Sequence, residues 1–159
     1  MIKVGDKIPA VKLKTRSQGE MKDLTTDDIF AGKRVALFSV PGAFTPTCSA
    51  KHLPGYVQHA DALRAKGIDS IVCLAVNDAF VMEAWGKDQQ VGDKVMMVAD
   101  GSGDFAKATG LELDLVANGM GVRSKRFSML VENGVVKTLN LEKPGAFEVS
   151  DAATMLGQA

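Results

Sequence analysis

Three short apolar runs, each followed by a stretch with helical features, constrain the fold of this chain more than any other feature. The runs cover residues 35–40, 68–76 and 94–99, and each has the length and composition of a buried strand. Alternation of strands and helices implies parallel crossovers within one sheet. The order therefore predicts a parallel core with helices on both faces.

Antiparallel hairpins are predicted on either side of this core. Residues 11–16 alternate apolar and polar side chains, turn at 17–19 and continue at 20–24, which predicts an N-terminal β-hairpin whose lysines protect a sheet edge. Asn133-Gly134 is a strong signal for a second hairpin, and a short helix is expected from about Ser150. This order favours an α/β, thioredoxin-like fold with a mixed central sheet in a single domain over residues 1–159. A flavodoxin-like sheet fits less well because of the second hairpin.

Composition and charge exclude several functional classes. The 159 residues contain 19 Lys and Arg against 19 Asp and Glu, so there is no basic excess to indicate a nucleic-acid partner. The longest apolar run is too short to span a bilayer, so no membrane partner is expected. The N-terminus has no signal-peptide pattern, and we expect a cytoplasmic location. With only two cysteines, a catalytic or redox role is favoured over a disulfide framework.

Cys48 stands out among the candidate functional residues because of the residues before it. Pro41-Gly42-Ala43-Phe44-Thr45-Pro46-Thr47-Cys48 follows the first apolar run. Thr45 is a good N-cap and Pro46 suits the first helical position, which places Cys48 in the first turn of a helix. Unpaired N–H groups and the helix dipole there favour the thiolate, the nucleophilic form of cysteine. Pro54 is expected to interrupt this helix and leave residues 46–52 short and weakly held.

The motif Pro41-x-x-x-Thr45-x-x-Cys48 resembles the active-site motif of peroxiredoxins. The string from Pro41 to Ser49, with His52-Leu53-Pro54, is similar to the type II, or atypical, subfamily. Two further segments, residues 76–86 and 123–129, resemble it as well. The similarity covers nearly the whole chain in the right order.

This resemblance implies a thiol peroxidase that reduces hydrogen peroxide and alkyl hydroperoxides without a cofactor. It assigns the nucleophile to Cys48, a hydroxyl near the sulfur or the peroxide to Thr45, and a shield against solvent to Pro41. Arg126 would favour the thiolate and stabilise the leaving oxygen, with Arg123 as a substitute that spacing alone does not exclude. The product would be a Cys48 sulfenic acid and water or an alcohol.

Three other residues near these segments have less specific interpretations. His52 lies one turn after Cys48 and is more often structural than catalytic in such a position. Trp85 and Phe80 are typical of a core or an interface, and the resemblance suggests a homodimer with a contact near the active site. Cys48 and His52 make a poor zinc half-site, since the chain has only two cysteines and two histidines.

The Cys48 sulfenic acid must be reduced to the thiol, and the sequence leaves two routes for this reduction open. Cys73, the only other cysteine, lies in an apolar run and is a candidate resolving thiol, in line with some members of the subfamily. Residues 146–151 hold no cysteine, which excludes the C-terminal resolving route of other members. Otherwise glutathione, glutaredoxin or thioredoxin attacks Cys48 directly, and we favour this external route because a central strand buries its residues on both faces.

Alternative functions share part of this chemistry. A redox sensor would use the same first oxidation step but convey it to a binding partner. A disulfide oxidoreductase is disfavoured because Ser49-Ala50-Lys51 follow Cys48 and no Cys-x-x-Cys is present. No motif for haem or flavin appears.

Overall fold

A seven-stranded mixed sheet forms the centre of the computed structural model, which describes residues 1–159. Its strands are β1 (Lys12–Ser17), β2 (Glu20–Thr25), β3 (Arg34–Val40), β4 (Ser70–Ala75), β5 (Met96–Ala99), β8 (Phe127–Glu132) and β9 (Val135–Leu141). They lie in the order β2-β1-β5-β4-β3-β8-β9. Strands β3, β4 and β5 are parallel, and the hairpins β1–β2 and β8–β9 are antiparallel. The mixed thioredoxin-like sheet expected from the sequence is thus confirmed.

Helices cover the sheet, and several short elements join them. The helices are α1 (Thr26–Phe30), α2 (Leu53–Gln58), α3 (Ala60–Ala65), α4 (Ala79–Asp88), α5 (Asp104–Thr109) and α6 (Ala152–Gln158). A separate two-stranded sheet joins β6 (Glu112–Leu115) to β7 (Gly121–Ser124). Neither this small sheet nor α1 was predicted, because their residues carry no clear periodicity. None of the helices combines the length and the apolar character that crossing a membrane requires.

Two apolar clusters pack on the opposite faces of the sheet, and alternate residues of β3 divide between them. Phe38 and its same-face neighbours contact the cluster that contains Cys48, Tyr56 and Trp85. Leu37 belongs to the other cluster, with Phe30 and Phe105 from α1 and α5. Burial on both faces explains why β3 is apolar without alternation. It also gives the loop that follows β3 a rigid base.

The helix that carries Cys48 begins at Pro46 and then widens into a π-helical segment, Cys48–His52. The N–H of Leu53 donates to the Cys48 carbonyl, five residues back. Pro54 follows directly and has no N–H to donate, so the wider turn accommodates the missing bond. The predicted interruption at Pro54 is therefore present as a π-bulge, a feature often found at functional sites.

Candidate active site

Cys48 lies in the first turn of its helix, at the carboxyl end of β3. Its side chain is fully buried. The backbone N–H groups of Thr47 and Cys48 donate to no acceptor within the chain, as expected for the start of a helix. Two free donors beside a sulfur form a polar pocket suited to an oxygen that gains negative charge.

Arg126 is the cation that contacts the sulfur. It immediately precedes β8, the antiparallel neighbour of β3, so its side chain starts at the same end of the sheet as Cys48. Its Nη2 donates to Cys48 Sγ over 3.0 Å. No carboxylate lies within ion-pair distance of Arg126. The positive charge is therefore free to stabilise a thiolate and a departing oxygen.

His52 holds the other side of the same guanidinium. Arg126 Nη1 donates to His52 Nδ1 over 2.8 Å, and His52 Nε2 lies 3.0 Å from the Ser150 carbonyl. Because a guanidinium only donates and a carbonyl only accepts, the ring must be neutral with its proton on Nε2. Burial, followed by the nearby Arg126 charge, lowers the pKa of His52 to about 3. His52 thus positions Arg126, a role that its position in the sequence did not indicate.

The segment 142–150 clamps this pair of side chains from outside the sheet. The Phe147 ring packs 4.9 Å from the His52 ring and lies under the Arg126 guanidinium, 5.8 Å from it. The Glu142 carboxylate accepts bonds from the N–H groups of Glu148, Val149 and Ser150 and from the Ser150 hydroxyl. A chain of hydrogen bonds therefore runs from Glu142 through Ser150, His52 and Arg126 to the sulfur.

The Glu142 carboxyl is held ionised by these donors. Burial alone would raise its pKa, but the backbone N–H of Glu148, the Ser150 hydroxyl and the N–H groups of Val149 and Ser150 together lower it. An ionised carboxylate accepts stronger hydrogen bonds than a neutral one. The negative charge of Glu142 thus organises the segment that supports His52.

Neither Thr45 nor Pro41 forms a hydrogen bond to the sulfur. The Thr45 hydroxyl donates to the Gly42 carbonyl over 2.7 Å, which closes the turn before the helix. Its lone pairs have no partner within the chain, so the role in peroxide binding stays a prediction. Pro41 is half-buried and lines a small cavity with Thr47 and Arg126, a position compatible with shielding the thiol.

Arg123 does not contact Cys48. Its Nε donates to the Met120 carbonyl over 2.8 Å, and its Nη1 lies 3.4 Å from the Pro41 carbonyl. A Cβ on residue 42 would come within 2.9 Å of that Nη1, so any larger residue there would displace the end of the Arg123 side chain. Arg123 therefore braces the loop after β3, and the structure brings Arg126 rather than Arg123 to the sulfur.

Cys73 is a free thiol buried in the middle of β4. Phe38 of β3 and Met97 of β5 are its partners on either side in the sheet. Burial raises the pKa of Cys73, with a smaller contribution from Cys48, so the residue stays in its weakly nucleophilic thiol form. Movement of Cys73 towards Cys48 would break strand pairing on both sides.

The two aromatic residues of α4 differ in exposure. Trp85 is fully buried, and its Nε1–H donates to Ser49 Oγ over 3.0 Å, so Trp85 is a core residue and offers no dimer contact. Phe80 is 61% exposed, and Phe44 in the loop before Cys48 is 52% exposed. The Arg16 guanidinium lies over the Phe80 ring at 5.1 Å, and the Phe44 ring lies 6.4 Å from the Trp85 ring. The exposed parts of both phenylalanines could contact another molecule.

Sequence reasoning missed the support around Arg126 because its parts are far apart in the chain. Glu142, Phe147 and Ser150 lie in a stretch where only Pro144-Gly145 carries a local signal, which marks a turn. Their function depends on a fold that returns this segment to the end of β3. His52 carried a signal, its spacing of one turn from Cys48, but nothing in the sequence identified its partners.

Known proteins resemble this chain over almost its whole length. The redoxin family matches residues 3–156. Peroxiredoxin-2E, chloroplastic, of Arabidopsis thaliana is 54% identical over 98% of this chain and 68% of its own length. Peroxiredoxin-2D of the same plant is 47% identical over 98% of this chain and 96% of its own length. A crystal structure of reduced Prx3 from Vibrio vulnificus in complex with hydrogen peroxide has a TM-score of 0.96, with 50% identity over 99% of both chains.

Proposed function

Since the chain belongs to the type II peroxiredoxins and is a thiol peroxidase, we propose that Cys48 is the residue that attacks the peroxide. The observation that carries this assignment is the 3.0 Å contact between Arg126 Nη2 and Cys48 Sγ. An unneutralised cation on a buried sulfur favours the thiolate. The substrates are hydrogen peroxide and alkyl hydroperoxides, and hydrogen peroxide is also the ligand of the similar Vibrio vulnificus protein.

The reaction is a substitution at a peroxide oxygen. The Cys48 thiolate forms an S–O bond while the O–O bond breaks, and the departing oxygen takes a proton to leave as water or an alcohol. Arg126 and the free N–H groups of Thr47 and Cys48 stabilise the charge on that oxygen. Thr45 offers a hydroxyl and Pro41 limits access of water. The product on the enzyme is a Cys48 sulfenic acid.

We propose that an external thiol reduces this sulfenic acid, with glutathione, glutaredoxin or thioredoxin as the reductant. The raised pKa of Cys73, caused by its burial, and the pairing of β4 on both sides support this route over an internal disulfide. A Cys48–Cys73 disulfide would require the π-helical segment to unwind. Cys73 is then a core residue.

The assignment is tested with two cysteine variants assayed for peroxide consumption with glutathione and glutaredoxin, and separately with thioredoxin. Cys48→Ser should abolish turnover while circular dichroism shows an intact fold. Cys73→Ser, the matched control, should retain turnover with at least one reductant. Activity in Cys48→Ser would refute the nucleophile assignment, and loss of activity in a folded Cys73→Ser would favour the internal disulfide.

A homodimer is the proposed assembly. Its support is the exposure of Phe44, in the loop before Cys48, and of Phe80, in the first turn of α4, because large exposed aromatic side chains are typical of an interface. Phe44 also has a left-handed backbone, with φ of 63°, a conformation that is uncommon for such a residue. Phe80→Ser should shift the mass in sedimentation towards the monomer. Val116→Ser, a control at an exposed residue of the β6–β7 turn, should not.

A further inference from the structure

A cavity of about 160 Å³ lies beside Arg126, the residue whose guanidinium contacts the buried thiol. Its walls come from five parts of the chain: the loop after β3, the start of the Cys48 helix, strand β6, the residues before β8 and the segment after β9. The side chains that matter for its chemistry are Thr47, Lys125, Arg126, Glu142 and Lys143. Cys48 is fully buried and does not line this cavity, so the cavity meets the active site through Arg126, whose guanidinium contacts the sulfur.

The cavity carries an excess of positive charge that no group of the chain neutralises. Neither Lys125 nor Lys143 forms an ion pair or a side-chain hydrogen bond. Glu142 is the one acidic residue of the lining, and its oxygens are already taken by the N–H groups of residues 148–150 and by the Ser150 hydroxyl. Unpaired ammonium groups at a concave site beside Arg126 suit an anionic partner.

We propose that Lys125 and Lys143 form a carboxylate subsite, which makes a small carboxylate-bearing thiol such as glutathione the preferred direct reductant of this enzyme. This inference rests on the proposed function, since it concerns the second half of the reaction. The thiol sulfur attacks Cys48, an S–S bond forms, the S–O bond of the sulfenic acid breaks, and the hydroxyl leaves as water with the thiol proton. A second thiol then displaces Cys48 and yields the oxidised disulfide of the reductant.

The size and position of the cavity support a carboxylate rather than a whole peptide as its occupant. At about 30 Å³ for each water in the liquid, the cavity volume corresponds to roughly five waters. It has room for a carboxylate and the atoms next to it, with the rest of the reductant outside. Hydrogen peroxide carries no charge, so the lysines act mainly on an anionic thiol.

The test uses Trp85, the only tryptophan, whose contact with Ser49 makes its fluorescence a reporter beside Cys48. Wild-type protein is first oxidised with one equivalent of hydrogen peroxide in a stopped-flow instrument. It is then mixed with glutathione or with uncharged 2-mercaptoethanol. The second-order rate constant for glutathione is divided by the rate constant for 2-mercaptoethanol. Because both thiols react with the same sulfenic acid, this ratio is insensitive to any change in sulfenic acid reactivity that a substitution causes.

The double variant Lys125→Met and Lys143→Met keeps the apolar part of both side chains and removes both charges. Its ratio should fall about tenfold, the size expected for two partly exposed ion pairs. Lys22→Met, at an exposed and unpaired lysine of β2 on the far edge of the sheet, should leave the ratio unchanged. The charge reversal Lys125→Glu with Lys143→Glu should invert the preference, so that cationic cysteamine reacts faster than glutathione.

The proposal is overturned if the double variant keeps the wild-type ratio, or if wild-type sulfenic acid reacts with thioredoxin but not with glutathione. Neither result would contradict the reaction of Cys48 with peroxide, because that oxidation is measured in a separate step before the thiol is added. Failure of the wild type to form a sulfenic acid would instead contradict the proposed role of Cys48.

Discussion

Acidification should destabilise this protein through His52 well before its carboxylates titrate. The ring is buried and neutral, between the Arg126 guanidinium and the Ser150 carbonyl. Its pKa is about 3 in the fold, against 6.5 for an ordinary histidine. Between these values the unfolded chain binds a proton that the folded chain does not. Stability is therefore complete above about pH 6.5 and falls as the pH drops towards 3.

The magnitude follows from the two pKa values. Between about pH 7.5 and pH 5 the linkage amounts to about 2 kcal/mol of unfolding free energy, since each pH unit well inside the window contributes about 1.4 kcal/mol. For a domain of this size, that corresponds to a fall in Tm of roughly 4–8 °C. Within the fold the ring stays neutral over this range, so protonation of Nδ1, which faces Arg126, should weaken peroxide reduction only as the pH approaches about 3.

The assay measures the free energy of unfolding in urea at about pH 7.5 and pH 5 for the wild type, His52→Asn and His59→Asn. His52→Asn keeps an acceptor near the position of Nδ1, and the Ser150 carbonyl keeps its bond from the Tyr56 hydroxyl, so this variant should fold. It should lose about 2 kcal/mol less stability on acidification than the wild type. His59→Asn, at the half-buried second histidine, should follow the wild type.

Equal acid sensitivity in wild type and His52→Asn would refute this account of His52. An NMR titration that finds the His52 ring charged at pH 6 would contradict the tautomer derived from its two partners.

Two further substitutions test other parts of the site. Arg126→Met should slow oxidation by hydrogen peroxide by about 10²–10³-fold, the usual effect of removing a donor from a developing anion. Arg123→Met, at the arginine that does not touch the sulfur, should have a much smaller effect in the same stopped-flow assay. Glu142→Gln should lower Tm by a few degrees, because replacing a charged acceptor of buried N–H groups costs about 1–3 kcal/mol. An unchanged Tm would mean that segment 142–150 is held by other contacts, such as the packing of Phe147.

Local patterns predicted those parts of the fold that depend on local forces. The apolar run before Pro41 and the Asn133-Gly134 turn fix a strand and a hairpin by periodicity and backbone preference. The position of Cys48 at a helix start followed from Pro46 in the same way. The expected capping by the Thr45 side chain is wrong, because its hydroxyl donates to the Gly42 carbonyl and accepts no helix N–H.

The parts that sequence patterns could not predict depend on tertiary contact. The β6–β7 sheet is small and half-exposed, so it has no clear alternation. The pairing of His52 with Arg126, 74 residues apart, follows only once β8 lies beside β3. The resemblance to a family selected Arg126 over Arg123, but the reason, a brace between Arg123 and the Pro41 carbonyl, required the three-dimensional structure.

The most direct test of the central claim is the intact mass of the reduced protein after one equivalent of hydrogen peroxide, before and after glutathione is added. A gain of about 16 Da on Cys48, located by peptide mapping, is expected, and it should convert to a glutathione adduct. A loss of about 2 Da, from a Cys48–Cys73 disulfide, would contradict external reduction. An unchanged mass at Cys48 would contradict its role as the nucleophile.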